Sequence, residues 1–599
     1  MAKKYPCGLF FMIIFFRFCG LFADDNQPLT LEPIVISKNK IHFSSYHNLS
    51  AQTLKTLPFA SFIEGLNFFN LDLQSRSPNS GIQTDFSLRA SGFQGVLLLL
   101  NGQRLNDPQT AHHNSDLPLI NEDIERIEIL PGVSSSLFGP DAMGGAINFI
   151  LKKPQTNQQV LELSGGQYDT HAAMFSLSRK RENLAVRLSL ENKESAGFKE
   201  DTDFKKFTST LNFLLDIPDG DLHIFLGYQE KEFGAYDFYT PASNYLSQEW
   251  TKTYLLDTGL NLEKEEVLIK PNFLWRRHED KFLLDKTLRR SRYLNHHSTD
   301  MFTPSLYFKK EIPILGKVGW GLEYGKECIN STNLGKYQRN HKSIFIDESI
   351  DLNKSLSLGL SFRFDVFDGF YNIYTGSTNL RYGASERHSI QLGVSRSIRI
   401  PSFTELYYND PTTLGNRELS QEKSLNYQLG YTYQNTGVSL GMIFFLRQEK
   451  DLIDWIKRNP NQTHWQAENI SKAEVSGIEN NLSLEIKPYL KLNINYTYTN
   501  KHSDTQGYLF KYGPNYARHL FNNFWEFNFP FGVQVLNLSY KKKAGRGGWF
   551  LLNISLSYKT TKYSSIFLRA TNVLGKKYQE IAGISQPGRW LEAGFRLEW

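Results

Sequence analysis

Over most of this chain apolar and polar residues alternate one by one. That period confines it to strands with one greasy and one wet face. Leu356, Leu358, Leu360, Phe362 and Phe364 alternate with Ser357, Gly359, Ser361, Arg363 and Asp365. Leu425, Tyr427, Leu429, Tyr431 and Tyr433 do the same against Asn426, Gln428, Gly430, Thr432 and Gln434, as do Leu492, Ile494, Tyr496 and Tyr498 against Asn493, Asn495, Thr497 and Thr499. The final residues close the series, with Leu591, Ala593, Phe595, Leu597 and Trp599 opposite Glu592, Gly594, Arg596 and Glu598. Each segment matches a tilted membrane-crossing strand of roughly 9–11 residues, longer than the usual strand of a soluble sandwich. Charges such as Arg363 and Arg596 fit a wet lumen, and Tyr and Phe near strand ends fit the aromatic girdles of a membrane barrel.

Composition closes off the other classes. The mean hydropathy is −0.41, and after residue 23 no apolar run approaches the roughly 20 residues of a helical span. Yet 14% of the 599 residues are aromatic and charged residues of both signs nearly balance, which excludes a disordered chain. A formal charge of +6 is no argument for nucleic acid. The texture begins near residue 156. Spread over the 22 strands of a plugged transporter barrel, the remaining length allows about 20 residues per strand and connection, although 16 or 18 strands with longer loops fit the same arithmetic.

Residues 1–23 read as a secretory signal: Lys3 and Lys4, an apolar run over 8–22 broken by Arg17, then Leu21-Phe22-Ala23 as a cleavage site. A membrane anchor is the competing reading, disfavoured by Arg17. Removing the signal takes Cys7 and Cys19 and leaves Cys328, so no intramolecular disulfide is expected. Between the signal and the barrel lies a region of different texture. It has a short helical patch around 62–69, a continuous apolar strand Val96-Leu97-Leu98-Leu99-Leu100 ended by Asn101-Gly102, the stretch 124–130, and a Gly-rich segment 139–148. This predicts a small α/β domain whose strands are covered on both faces, as they would be inside a barrel.

Arg126-Ile127-Glu128-Ile129-Leu130-Pro131-Gly132-Val133, Ser136-Leu137-Phe138-Gly139 and Gly144-Gly145-Ala146-Ile147-Asn148 together resemble the plug signature of the TonB-dependent outer-membrane receptors. Pro131 stands where a basic residue is usual. Ser87-Leu88-Arg89-Ala90 is similar to an upstream plug strand, with Ala90 in place of Gly; Thr571-Asn572-Val573-Leu574 and the terminal Trp599 resemble the family's chain end. The resemblance implies a transmembrane β-barrel, 22-stranded and antiparallel, closed by an N-terminal plug, with residues 24–40 as an N-terminal segment, 41–155 as the plug and 156–599 as the barrel. Within the plug it singles out Arg89, Arg126, Glu128, Gly132, Gly139, Gly144, Gly145 and Asn148. The glycines serve close backbone approach, and Arg89, Arg126 and Glu128 are expected to pair with lumen charges.

Glu32, Pro33, Ile34, Val35, Ile36 and Ser37 resemble a Ton box, which pairs with the TonB protein of the inner membrane by strand addition. The implied function is energy-coupled uptake of a scarce solute across the outer membrane. Residues 400–407 and 415–419 look like blocks of the cobalamin, haem and siderophore branches; no His lies between Pro401 and Leu419, which counts against haem. Residues 233–243 are similar to a cobalamin-type loop. A corrinoid is therefore the first-choice ligand and a ferric siderophore the second. A passive porin is the rival from another class, and an enzyme is not expected, since no G-x-S-x-G nucleophile motif occurs in the plug. His112, His113, Tyr236, Asp237 and Tyr239 are candidate ligand-facing residues. No Cys or carboxylate cluster adjoins the two histidines in sequence, so neither metal nor cofactor is expected.

Overall fold

A computed structural model describes residues 48–77, 81–239, 244–287, 293–504, 507–511 and 515–599. The signal and the Ton-box segment, Glu32 to Ser37, lie outside these residues.

The plug is built on a five-stranded sheet. Its strands are β1 (Asn48–Ser50), β4 (Val96–Leu100), β5 (Gln103–Arg104), β6 (Ile124–Pro131) and β7 (Gly145–Leu151), in the order β1-β6-β7-β4-β5; β2 (Asp72–Ser77) and β3 (Gln83–Ser87) form a separate hairpin. Strand β4 runs parallel to β7, and the remaining pairs are antiparallel. The apolar run of β4 has a simple cause. Leu98 and Leu100 enter the main plug core with Phe62, Ile127 and Phe149, while Leu97 and Leu99 pack on the other face against Leu130, Ala142 and Ala146. Every position of β4 is buried, so alternation disappears. The patch at 62–69 is a turn of α-helix, Phe62–Gly65, continued by a 3-10 turn, Leu66–Phe69.

The wall begins with β8 (Gln158–Gly166), β9 (Thr170–Arg181), β10 (Leu184–Ser195), β11 (Phe204–Ile217), β12 (Gly220–Gly234), β13 (Gln248–Lys264), β14 (Val267–Leu283) and β15 (Leu294–Ile312). It continues as an antiparallel meander until the last strand, Trp590–Glu598, pairs with β8 and shuts the cylinder at 22 wall strands among the described residues. This settles the count that arithmetic left open.

The two faces separate as the pattern demands. Leu360, Phe362 and Phe364 are 38%, 50% and 36% exposed on the outside, whereas Arg363 and Asp365 between them are 1% and 0% exposed in the lumen. Many strands exceed the expected 9–11 residues; β13 and β14 have 17 each and the strand Trp465–Lys487 has 23. The wall therefore rises beyond a bilayer core. One end carries tight turns, such as Glu265-Glu266 with both φ positive, the hairpin type that matches strand twist. The other carries the long connections, the longest between Arg399 and Glu422, which marks it as the extracellular end.

Candidate functional site

The plug is fastened to the wall by charge. Arg89 reaches Glu479 with two bonds, Nε to Oε1 at 2.8 Å and Nη2 to Oε2 at 2.6 Å, and donates to Gln428 at 3.0 Å. Arg89 and Ala90 both sit in the left-handed region, at φ 49° and 55°, which turns their carbonyls to the wall. There Arg447 donates to the Arg89 carbonyl at 2.9 Å. Farther round, Lys543 holds Asp72 at 2.9 Å, Arg596 holds Glu122 at 2.7 Å, and Arg276 holds Asp107. Burial pushes the Glu122 carboxyl up, but Arg596 and Lys55 outweigh it and hold it at about 2.

Arg126 and Glu128 behave differently from the expectation that they pair with lumen charges. Two residues apart on β6, they share a face and bond each other at 2.9 Å, with Arg126 also on Glu125 at 2.7 Å. Glu128 accepts from Asn148 at 3.1 Å, and the Asn148 carbonyl accepts from the Gly102 amide at 3.0 Å. This group braces the plug internally. Among the signature glycines, Gly144 marks a contact with no room for a side chain. A Cβ on Gly144 would lie 2.6 Å from the Leu88 carbonyl, and Gly139, at φ 94°, lies under the Arg363 guanidinium. Gly132 accepts through its carbonyl from Ser395 at 3.1 Å, and Gly145 pairs with Val96 and Pro131.

His112 and His113 lie in the seam between plug and wall, 7% and 3% exposed. His112 stacks on Phe93 at 4.4 Å and meets Asp85 through Nδ1 at 2.8 Å. Asp85 also takes Arg76 at 2.6 Å. Burial raises the Asp85 carboxyl, but Arg76 and His112 prevail and hold it at about 2. For His113 burial favours the neutral ring, yet Asp280 and Asp116 outweigh it and push it up to about 10. Asp116, bonded to Lys231 of β12, is held below the ordinary carboxylate range against the opposing effect of burial.

Tyr239 joins the same seam, accepting from Gln83 at 2.5 Å and donating to Glu249 at 3.1 Å. Tyr236 lies apart, under the Lys199 ammonium at 3.4 Å and donating to Asn244 at 2.7 Å. Asp237 is buried in the same loop at φ 59°.

An aromatic wall stands at the extracellular end. Tyr337 and Tyr407 stack at 3.6 Å and 8°, Arg417 donates to the Tyr337 hydroxyl at 2.8 Å, and Tyr408 meets Trp455 edge-on at 6.2 Å. The short helix Phe403–Tyr407 carries Tyr407. Ser402 and Glu405 cap its start reciprocally, and Arg399 clamps Glu405 and Glu422 at 2.8 and 2.6 Å. The plug touches this helix directly, since the amides of Phe403 and Thr404 donate to the carbonyls of Pro108 and Gln109 at 2.9 and 3.1 Å. Tyr407 and Arg417 stand in the sequence blocks quoted above. Tyr337, from a distant hairpin, carries no signal that reading along the chain would find.

Comparison with known proteins agrees with this architecture. Residues 150–573 match the family model described as TonB dependent receptor-like, beta-barrel, and residues 42–146 match the TonB-dependent Receptor Plug Domain. The iron-regulated outer membrane virulence protein of Vibrio cholerae is 25% identical, over 83% of this chain and 79% of its own length. The vitamin B12 transporter BtuB of Vibrio vulnificus is 24% identical, over 68% of this chain and 66% of its own. Among solved structures, the siderophore receptor PirA of Pseudomonas aeruginosa superimposes with a TM-score of 0.72 at 18% identity, covering 92% of this chain and 98% of that one. The ferric enterobactin receptor PfeA of the same organism gives 0.76 at 15% identity, covering 92% and 99%.

Proposed function

This chain belongs to the TonB-dependent receptor family, a family of outer-membrane receptors and transporters and not of enzymes, and from that premise we propose that it imports a bulky organic metal complex of low net charge, a cobalt corrinoid first and a ferric siderophore second. One observation carries the reading: the aromatic wall is hydrogen-bonded to the plug loop beneath it. A flat conjugated ligand would stack on Tyr407 and Tyr337, and its arrival would bear on the loop at Pro108 and Gln109.

Three arginines near that wall are held by carboxylates, which favours the corrinoid, while Arg417 lies over the Tyr337 and Tyr407 rings. Arg339 is paired with Glu327 at 2.5 Å, Arg399 with two glutamates, and Arg458 with Glu468 at 2.6 Å. A highly anionic ferric tris-catecholate would have to compete with these carboxylates for its cations. The relatives named above include both a vitamin B12 transporter and receptors for iron complexes, so their names do not separate the two.

TonB would engage the segment Glu32 to Ser37 and pull. A seam of buried ion pairs suits that event, because water entering a parted pair solvates both charges and repays the desolvation that burial had cost. Uptake of labelled cobalamin and of a panel of ferric chelates, by cells with and without the protein, tests the ligand. Cobalamin uptake that depends on the protein supports the corrinoid. Uptake of ferric chelates alone shifts the reading to siderophores.

A further inference from the structure

Beneath the extracellular vestibule the fold gathers a cluster that neither the family nor the proposed uptake of an organic complex requires. His113 and Asp116 come from the plug loop, His278 and Asp280 from β14, and Glu249 from β13. His113 Nδ1 lies 3.4 Å from Asp116 Oδ2, His278 Nε2 lies 3.5 Å from the same oxygen, and His113 Nε2 lies 3.6 Å from Asp280 Oδ1. All five residues are buried. We propose that His113, Asp116 and His278 bind a divalent transition-metal ion.

Two independent features point to an ion. The first is spacing. Tetrahedral bonds of roughly 2.0–2.1 Å set neighbouring donor atoms about 3.4 Å apart. The contacts here have that separation, too long for good hydrogen bonds. One donor atom from each of His113, Asp116 and His278 falls within 4.8 Å of the others, and the same holds for His113, Glu249 and Asp280.

The second feature is unmet donor capacity. His278 Nε2 is buried without a hydrogen-bond partner, a costly condition unless another species satisfies it. His278 is oriented for the task, because its Nδ1 is engaged by the Thr253 hydroxyl at 3.0 Å, leaving Nε2 facing Asp116. Metal-bound imidazoles are commonly fixed through the second nitrogen in this way.

Two imidazoles with carboxylate oxygen select zinc, nickel, cobalt(II) or copper(II) over calcium or magnesium, which prefer all-oxygen shells. Because its ligands come from both plug and wall, the ion would staple the plug loop to β14, next to the carbonyls that hold the Phe403–Tyr407 helix.

The test uses untagged full-length receptor in detergent, stripped with a chelator, equilibrated with zinc chloride, separated from free metal and assayed by mass spectrometry. About one zinc per chain is expected for the wild type, with at least a tenfold loss in His278→Gln and His113→Gln and no change in His296→Gln on the exposed rim. Cobalt(II) added to the stripped wild type should give the intense visible bands of a tetrahedral N/O site, a readout that needs no variant. A wild type that retains no zinc, a His278→Gln protein that retains as much as the wild type, or a cobalt spectrum of the weak octahedral kind would each overturn the proposal.

Discussion

At the scale of single residues, part of the buried charge lies at the boundary between plug and wall. Arg89 illustrates the stake. Removing it takes a bidentate partner from the part-buried Glu479, a loss of about 3 kcal/mol, the low end of the cost of breaking a buried pair. Arg89→Ala is therefore expected to unfold its plug at lower urea, read by hydrogen exchange of plug amides, while the barrel amides keep their protection. Gly144→Ala should act similarly but more weakly, by about 1–3 kcal/mol, since its Cβ would meet the Leu88 carbonyl at 2.6 Å.

Asp123 makes one contribution to the pH dependence of stability. It accepts from Thr210 at 2.9 Å, from Ser189 at 3.2 Å and from the Ile120 amide at 3.0 Å, yet burial dominates and raises it to about 6. A carboxyl raised in the folded state binds its proton more tightly there than in the unfolded chain. Its contribution to stability therefore grows as pH falls from about 6 to about 4, by up to ~1.4 kcal/mol per pH unit. Relative to Asp123→Asn, which cannot titrate, the wild type should gain melting temperature between pH 7 and pH 4.5. A constant difference between the two proteins over that range would contradict the assignment.

Side-chain partnerships were the part least readable along the chain. Arg89 and Glu128 look alike in a motif, but one crosses to the wall and the other does not. The reason lies in the strand that carries each and in which neighbour shares its face. The cluster around His113 was invisible for the same reason: its members come from three elements, far apart in sequence.

At the scale of elements, strands were legible wherever burial was one-sided. Leu360, Phe362 and Phe364 alternate because lipid lies on one face and the lumen on the other, and β4 loses the alternation because both its faces are packed. Lengths were less legible, because the wall continues above the bilayer, where alternation persists without a membrane to set its limit. The helix Phe403–Tyr407 is the element with the clearest functional consequence. Tyr407→Ala, and likewise Arg417→Ala, should weaken ligand capture by about tenfold, a loss of roughly 1.4 kcal/mol, in a cell-surface binding assay. Unchanged binding in both would remove the aromatic wall from the ligand site.

At the scale of the whole molecule, the plug fills the barrel and its ion pairs reach the wall from β11's neighbours round to the closing strand, through Lys231, Arg276, Glu479, Lys543 and Arg596. A porin has no use for such a stopper. In planar bilayers the protein should stay nearly closed, whereas steady conductance from the intact chain would favour the porin. The number of strands escaped arithmetic because the connections are unequal, two residues at Glu265-Glu266 and a long excursion between Arg399 and Glu422. What the period established was the closed wall, and what the plug signature established was its stopper.

The most direct measurement of the central claim is accumulation of labelled cobalamin by cells carrying the wild type or Ile34→Pro, with and without collapse of the proton gradient. The expected result is that both proteins bind ligand at the cell surface, that only the wild type accumulates it, and that collapsing the gradient stops accumulation. Accumulation by Ile34→Pro at the wild-type rate, or by the wild type without a gradient, would contradict the account.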